Sequence, residues 1–391
     1  MKYHNTILRQ MLTLFSRLQF QNIVNQYNGD HRSRSLKCWD QFIFILFGQL
    51  SSRNSLRSTV ETFNTHFRKH YHLGTTQVSR STLSDANNKR DYRIYQDIYF
   101  LTLQRVQAVA PKHKLKLNRK FYILDSTTID LCLQLFPWAR FRKNKGAVKL
   151  HTLLDSDGPL PEFLEITDGK VHDATVAKTL KIPPGSYLAI DRAYHDFEQY
   201  NVYNNNNIRF VTRKKTNAKY TVIESRKTDE EAEGILSDEI VEFTGIQTYK
   251  KYPHPLRVIR FFDKKSEKEL EFLTNDFNLE AITITQIYKA RWEIELFFKT
   301  IKQNLKIKRF IGNSPNAVWT QVWIALIAYL VINYLKFIHR SNLSVQKLFQ
   351  RIQVNLFERK PLYELIQNIK YKPPNYTQNN QFSLFPGLTG H

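Results

Sequence analysis

The window Tyr288-Lys-Ala-Arg291-Trp-Glu-Ile-Glu295-Leu-Phe-Phe-Lys-Thr-Ile-Lys302 sets a phenol, two cations and an acid at steps of three, four and seven. At about 100° per residue a single helix would carry all four within roughly 60° of its circumference. Such a stripe suits phosphodiester chemistry. A carboxylate can complete a metal site there, while positive groups hold and neutralise the phosphate oxygens. The plain structural alternative is a helix laced with ion pairs such as Arg291 with Glu295, and context decides between the two. Glu293 is the rival carboxylate, but it lies about 160° around the helix from Glu295.

The context is two distant aspartates. Phe121-Tyr-Ile-Leu-Asp125 and Tyr187-Leu-Ala-Ile-Asp191 are short apolar runs of strand character, and each closes on an acid. Between them Lys149 to Leu154 and Phe163 to Thr167 flank the turn signal Asp155-Ser-Asp-Gly158, which predicts a hairpin. A short helix from His172 and the turn Pro183-Pro-Gly-Ser follow, so the order is strand, strand, strand, helix, strand. Parallel pairing of the first and fourth strands would bring both acids out side by side. With Glu295 they make three carboxylates, a donor set for hard divalent cations: Mg²⁺, with Mn²⁺ as a substitute. Two such ions about 3.5 to 4 Å apart would activate the attacking oxygen and stabilise the leaving one at phosphorus. Asp130, Asp155, Asp157, Asp168 and Asp196 read as turn and strand-end residues. His151 and His172 read as a hairpin residue and a helix-start residue.

Residues 1 to about 110 show apolar positions at three- and four-residue steps with little Gly or Pro, which predicts a helical, basic region. Leu8, Met11, Leu12, Phe15 and Leu18 mark its first helix, and Trp39 to Leu50 a later one. Ser51-Ser-Arg-Asn-Ser and Ser79-Arg-Ser supply capping residues. Residues 215 to about 275 read as strands separated by charged turns, with the acidic patch Asp229-Glu-Glu-Ala-Glu as a solvated loop and Tyr371 to His391 as a loose tail. Helices return from Thr283. The apolar stretch Val322 to Ile332 is too short for a membrane span and reads as a buried core helix. Trp292 reads as core packing.

Length alone, at 391 residues, excludes a peptide-sized module, and 13% aromatic content excludes global disorder. A formal charge of +23 calls for a polyanionic partner, nucleic acid first. Two cysteines with no zinc spacing exclude a disulfide framework and predict a reducing, cytoplasmic setting, and no secretory leader is visible.

Asp125-Ser-Thr-Thr, Asp191-Arg-Ala-Tyr and the Tyr-x2-Arg-x3-Glu-x6-Lys spacing from Tyr288 to Lys302 resemble the bacterial insertion-sequence transposases of the Asp, Asp, Glu class. Tyr27-Asn-Gly-Asp, Ser35 to Phe42 and Gln49 to Arg57 resemble their amino-terminal domain. The resemblance runs from about residue 20 to 370. It implies an α/β protein with an RNase H-like mixed-sheet core interrupted by an all-β insertion, flanked by an N-terminal helical domain and C-terminal helices. The divisions expected are 1–112, 113–214, 215–275, 276–342 and 343–391. Asp125, Asp191 and Glu295 would be catalytic and metal-binding, and Tyr288, Arg291, Lys302 and Arg213 would contact DNA. The implied activity is cut-and-paste transposition by a homodimer on transposon ends and target DNA, through a nick, a hairpin and strand transfer, near the nucleoid and away from membranes. A regulatory DNA-binding derivative without catalysis is the alternative. Related enzymes stack a flipped base on a Trp near the insertion; with no Trp in 215–275, Tyr220, Tyr249 and Tyr252 are the stand-ins.

Overall fold

The protein is described here from a computed structural model covering residues 4–115, 117–142, 145–215, 218–227, 234–303, 305 and 310–367. The acidic patch from Asp229 and the tail from Tyr371 lie outside these residues. Helices open the chain: α1 (Ile7–Met11), α2 (Arg17–Gln26), α3 (Cys38–Leu50), α4 (Leu56–Thr65), α5 (His70–Leu73), α6 (Arg80–Lys89) and α7 (Arg93–Gln107). Ser16, Ser55 and Ser79 cap α2, α4 and α6 by accepting backbone N–H bonds in their first turns. Leu18, expected in the core, is 72% exposed, because Thr13 to Phe15 tighten into a turn and α2 starts afresh with a new phase.

Ten strands then form one mixed sheet: β1 (Phe121–Leu131), β2 (Arg140–Arg142), β3 (Lys145–Asp155), β4 (Leu160–Asp168), β5 (Tyr187–Ile190), β6 (Arg209–Arg213), β7 (Tyr220–Ser225), β8 (Ile235–Phe243), β9 (Leu256–Asp263) and β10 (Lys268–Thr274). The helices among and after them are α8 (Asp173–Thr179), α9 (Phe197–Asn205), α10 (Ile246–Lys251), α11 (Ala281–Ala290), α12 (Trp292–Gln303), α13 (Pro315–Ile338), α14 (Val345–Gln353) and α15 (Leu362–Ile366). The order β4-β3-β1-β5-β6, antiparallel at β4/β3/β1 and parallel at β1/β5/β6, is the RNase H-like arrangement expected. Gly158 makes the β3–β4 turn at φ +73°, and an added Cβ would stand 2.9 Å from Phe337 and 3.0 Å from Ala110.

One expectation for the sheet needs correcting, and it concerns β1. The strands expected in 215–275 are present and extend the core sheet. β10 pairs with β6 and carries β9, β8 and β7 outward as antiparallel extensions of the same sheet, and α10 interrupts them. Their inward faces are apolar enough to share the core's layers: Val258 and Leu273 join Leu188 and Phe210 on one face, Ile259 and Phe272 join Ala189 on the other. β1, in turn, does not end at Asp125 but runs on to Leu131 as the partner of β3.

The period of two settles which way the acids face. Leu124 and Ile190 pack with α9 residues Tyr200 and Tyr203, whereas Ile123 and Ala189 belong to the opposite core, which includes α12 and α13. Asp125 and Asp191 share the parity of Ile123 and Ala189. α13 is apolar around its circumference, is long enough to cross a membrane, and is buried here against α3, α6 and α7. Val322 to Ile332 is thus the buried core helix expected from its sequence.

Candidate active site

Parallel pairing between β1 and β5 stops at Leu124 opposite Ile190. The next residue on each strand is an aspartate, where a parallel sheet opens its ligand crevice. Asp191 turns the chain by accepting the Ala193 amide at 2.9 Å, and Asp125 accepts the Ser126 amide at 2.8 Å. From the layer above, the junction of α11 and α12 inserts Arg291. Its Nη1 donates to Asp125 Oδ2 at 2.9 Å and its Nη2 to Glu295 Oε1 at 2.6 Å. One guanidinium therefore clamps acids that lie 166 residues or more apart in sequence.

Burial pushes the Asp125 carboxyl up to about 6. The Ser126 amide and Arg291 oppose that shift, while the negative charges of Asp191 and Glu295 add to it. Both other acids thus act on Asp125. Tyr288 is also pushed up by burial, eased by Arg291 and Arg213 and reinforced by Asp191, so the phenol stands among those charges. Its ring centroid lies 5.7 Å from the Arg291 guanidinium carbon and 5.0 Å from the Phe272 ring. The structure therefore brings together Asp125, Asp191, Tyr288, Arg291 and Glu295, with Arg213 at the end of β6. Lys302 occupies the last turn of α12, two turns beyond Glu295.

The stripe is not one helix. It breaks at Arg291, with α11 ending at Ala290 and α12 starting at Trp292. The break turns Trp292 outward, so that it is 60% exposed and not the core residue expected. Tyr252 is buried and offers no face for stacking, while Tyr249 is exposed and Tyr220 lies under the Lys214 ammonium. Glu293 points away and pairs with His113 at 3.2 Å.

Sequence reasoning passed over the layer behind the acids. Ser126 Oγ donates to Asp173 Oδ1 at 2.6 Å, and Lys149 Nζ reaches the same oxygen at 3.3 Å. Asp173 opens α8. His151, buried beside it and donor or acceptor to Thr167, is pulled down to about 4 by burial. The other aspartates hold structural posts: Asp155 and Asp157 pair with Lys120, and Asp196 caps α9.

Residues 116–331 match the family described as "Transposase DDE domain", and residues 3–76 match a domain of unknown function. The chain belongs to the DDE transposase family. It is 31% identical over 292 residues to a putative transposase of Sinorhizobium fredii, spanning 71% of this chain and 80% of that one. It is 25% identical over 336 residues to a probable transposase for an insertion sequence element of Geobacillus stearothermophilus, 86% of each. Among solved structures, a cryo-EM structure of the piggyBac transposase synaptic complex with hairpin DNA aligns over 91% of this chain and 80% of that one, at 12% identity and a TM-score of 0.44.

DDE transposases generally use divalent metal ions, and the donor chemistry here fits: three carboxylates, oxygen only, one of them desolvated. Among the described residues no three acids or imidazoles stand close enough to hold an ion together. The Arg291 guanidinium stands between Asp125 and Glu295 and supplies the positive charge that they share.

Proposed function

We propose that this transposase binds the terminal inverted repeats of an insertion element and cuts and rejoins DNA there, with Asp125, Asp191 and Glu295 holding two Mg²⁺ ions, or Mn²⁺ in their place. When bound, the ions supply Lewis-acid activation of the attacking oxygen and neutralise charge on the leaving one. The observation that supports this most is the shared Arg291 clamp on Asp125 and Glu295 beside Asp191. Lys120 and Lys178 also bridge two acids each, but their side chains are half exposed, whereas Arg291 is 17% exposed and faces three acids.

The residues divide the work. Asp125 and Asp191 stand on rigid strands, so their spacing is set by the sheet, and Glu295 approaches from a helix. As a DNA end enters, Arg291 swings from the acids to the phosphate at the scissile position, a target that its fork also suits. Arg213, Tyr288 and Lys302 hold the neighbouring phosphates, and exposed Trp292 offers an aromatic face for an unstacked base. In the first step a water oxygen bonds to phosphorus as the bond to the 3′ oxygen breaks; the water proton leaves to solvent and the 3′ oxygen is protonated. The freed 3′ oxygen then bonds to the facing phosphorus of the opposite strand as that phosphorus loses the 3′ oxygen of the flanking DNA, which leaves as a hydroxyl with the attacking group's proton; this closes a hairpin, which a second water opens before the end is joined to target DNA. Two copies of the chain act together on paired ends in the cytoplasm.

Cleavage of a duplex carrying an element end, followed with Mg²⁺ in wild type and Asp191→Ala, tests this reading. Loss of cleavage with binding retained is expected. Metal-dependent cleavage that persists in Asp191→Ala overturns it.

A further inference from the structure

A further cavity stands apart from the three acids. It is an open cleft of about 850 Å³ on the Glu293 side of α12, walled also by the segment after α7, the β3–β4 turn and the end of α13. Its rim carries Lys112, Lys114, Lys299, Lys336 and Arg340, and none of these has an ion pair among the described residues. Among the described residues the only carboxylate in its lining is Glu293, which His113 takes up. Lys336 is half-buried, and burial pulls its pKa down, an unfavourable setting that an anion would relieve. The floor is different in kind: Leu296, half exposed, with Phe297 and Phe337.

A cationic rim over an apolar, partly aromatic floor is what a nucleic-acid strand uses, its phosphates on the charges and its bases on the rings. Of the α12 residues in its lining Lys299 comes nearest to Glu295, one turn or about 6 Å along and about 40° around the helix, while Leu296, Thr300 and Glu293 lie about 100° to 160° away. A volume of this size takes a ligand of drug-like dimensions, about two or three nucleotides, and not a duplex.

We infer that this cleft, on the flank of α12 turned away from the carboxylate centre, binds a short single-stranded stretch of DNA, with phosphates on Lys112, Lys114, Lys299, Lys336 and Arg340 and bases over Leu296 and Phe337. The inference rests on the reading of Asp125, Asp191 and Glu295 as a DNA-cutting centre, but it concerns a separate surface, and its test needs no cleavage.

The test is binding of a fluorescent oligothymidine to the full chain in EDTA over a range of salt. Lys114→Glu/Arg340→Glu changes opposite walls of the cleft, and Lys265→Glu/Lys268→Glu changes an equal charge in the β9–β10 turn. The cleft pair is expected to lose at least about 10-fold in affinity, with a log–log salt slope shallower by at least about 1.4, while the distant pair shifts less than about threefold. Should the reversal not fold, as judged by circular dichroism, Lys114→Gln/Arg340→Gln is expected to give the same slope change. Equal losses in both pairs, or none in the cleft pair, overturn the inference, as does equal competition by polyglutamate. Those outcomes leave the carboxylate centre standing. Cleavage retained in Asp191→Ala would overturn the centre and leave the cleft.

Discussion

Two arginines in this transposase hold carboxylates, one fully buried and one partly, and do so differently. In the strands after β6, Arg257 is 1% exposed and grips Asp238 with two parallel bonds, Nε to Oδ1 at 2.7 Å and Nη2 to Oδ2 at 2.6 Å. Its remaining nitrogen donates to the carbonyls of Leu279 at 2.7 Å and Asp276 at 3.2 Å. That pair is closed and tethers β8 and β9 to the chain entering α11. Arg291 spreads one bond to each of two acids, leaves its Nε buried without a partner, and sits beside a third acid. A satisfied arginine fixes the fold. Arg291, shared between two acids and with its Nε unpartnered, is bonded less completely, and on the proposed function it gives way to cations there.

The largest effect expected from this contrast is on chemistry. Glu295→Gln removes an acid from the open set and should lower end cleavage by more than about 10⁴-fold, whereas Glu293→Gln, on the other side of the same helix, should stay within about threefold in a single-turnover assay. Comparable losses in the two would break the distinction between the faces of α12.

Next comes stability. Arg257→Ala strands a buried carboxylate and should cost about 3 to 5 kcal/mol in urea unfolding. Arg291→Gln should cost less than about 1 kcal/mol, since it relieves one buried group as it strands others. An Arg291 variant as unstable as the Arg257 variant would make the clamp a structural pair.

The smallest effect sharpens the layer behind the acids. His151 is held neutral, pulled to about 4 from an ordinary 6.5. The unfolded chain binds a proton there between these values and the folded chain does not, so stability is full above about 6.5 and declines as pH falls towards about 4. His195, pulled to about 4 as well, adds to the same decline. His151→Gln should flatten part of that slope in urea midpoints measured across the window; an unchanged slope would remove His151 from the account.

Much of the centre was legible because it is local. Apolar runs closing on Asp125 and Asp191, with a helix between the third and fourth strands, implied parallel neighbours, and the pairing of β1 with β5 follows. The spacing of Tyr288, Arg291 and Glu295 survives although the helix beneath it breaks. The break itself had no signal, since no Gly or Pro marks Ala290 to Trp292, and Trp292 was misread for that reason. The clamp from Arg291 to Asp125 and the pairing of β10 with β6 join distant segments, and no periodicity records such partners. The cleft walls come from four separate stretches, so only the folded chain assembles their charge.

The most direct test of the centre is Mn²⁺ binding to metal-free, DNA-free protein, followed by electron paramagnetic resonance in wild type, Asp191→Ala, Glu295→Gln and Arg291→Gln. The account predicts binding in wild type, its loss in both carboxylate variants, and affinity tighter by about 10-fold, or about 1.4 kcal/mol, once Arg291 no longer occupies the acids. Binding unchanged across the carboxylate variants, or weakened by Arg291→Gln, would contradict it.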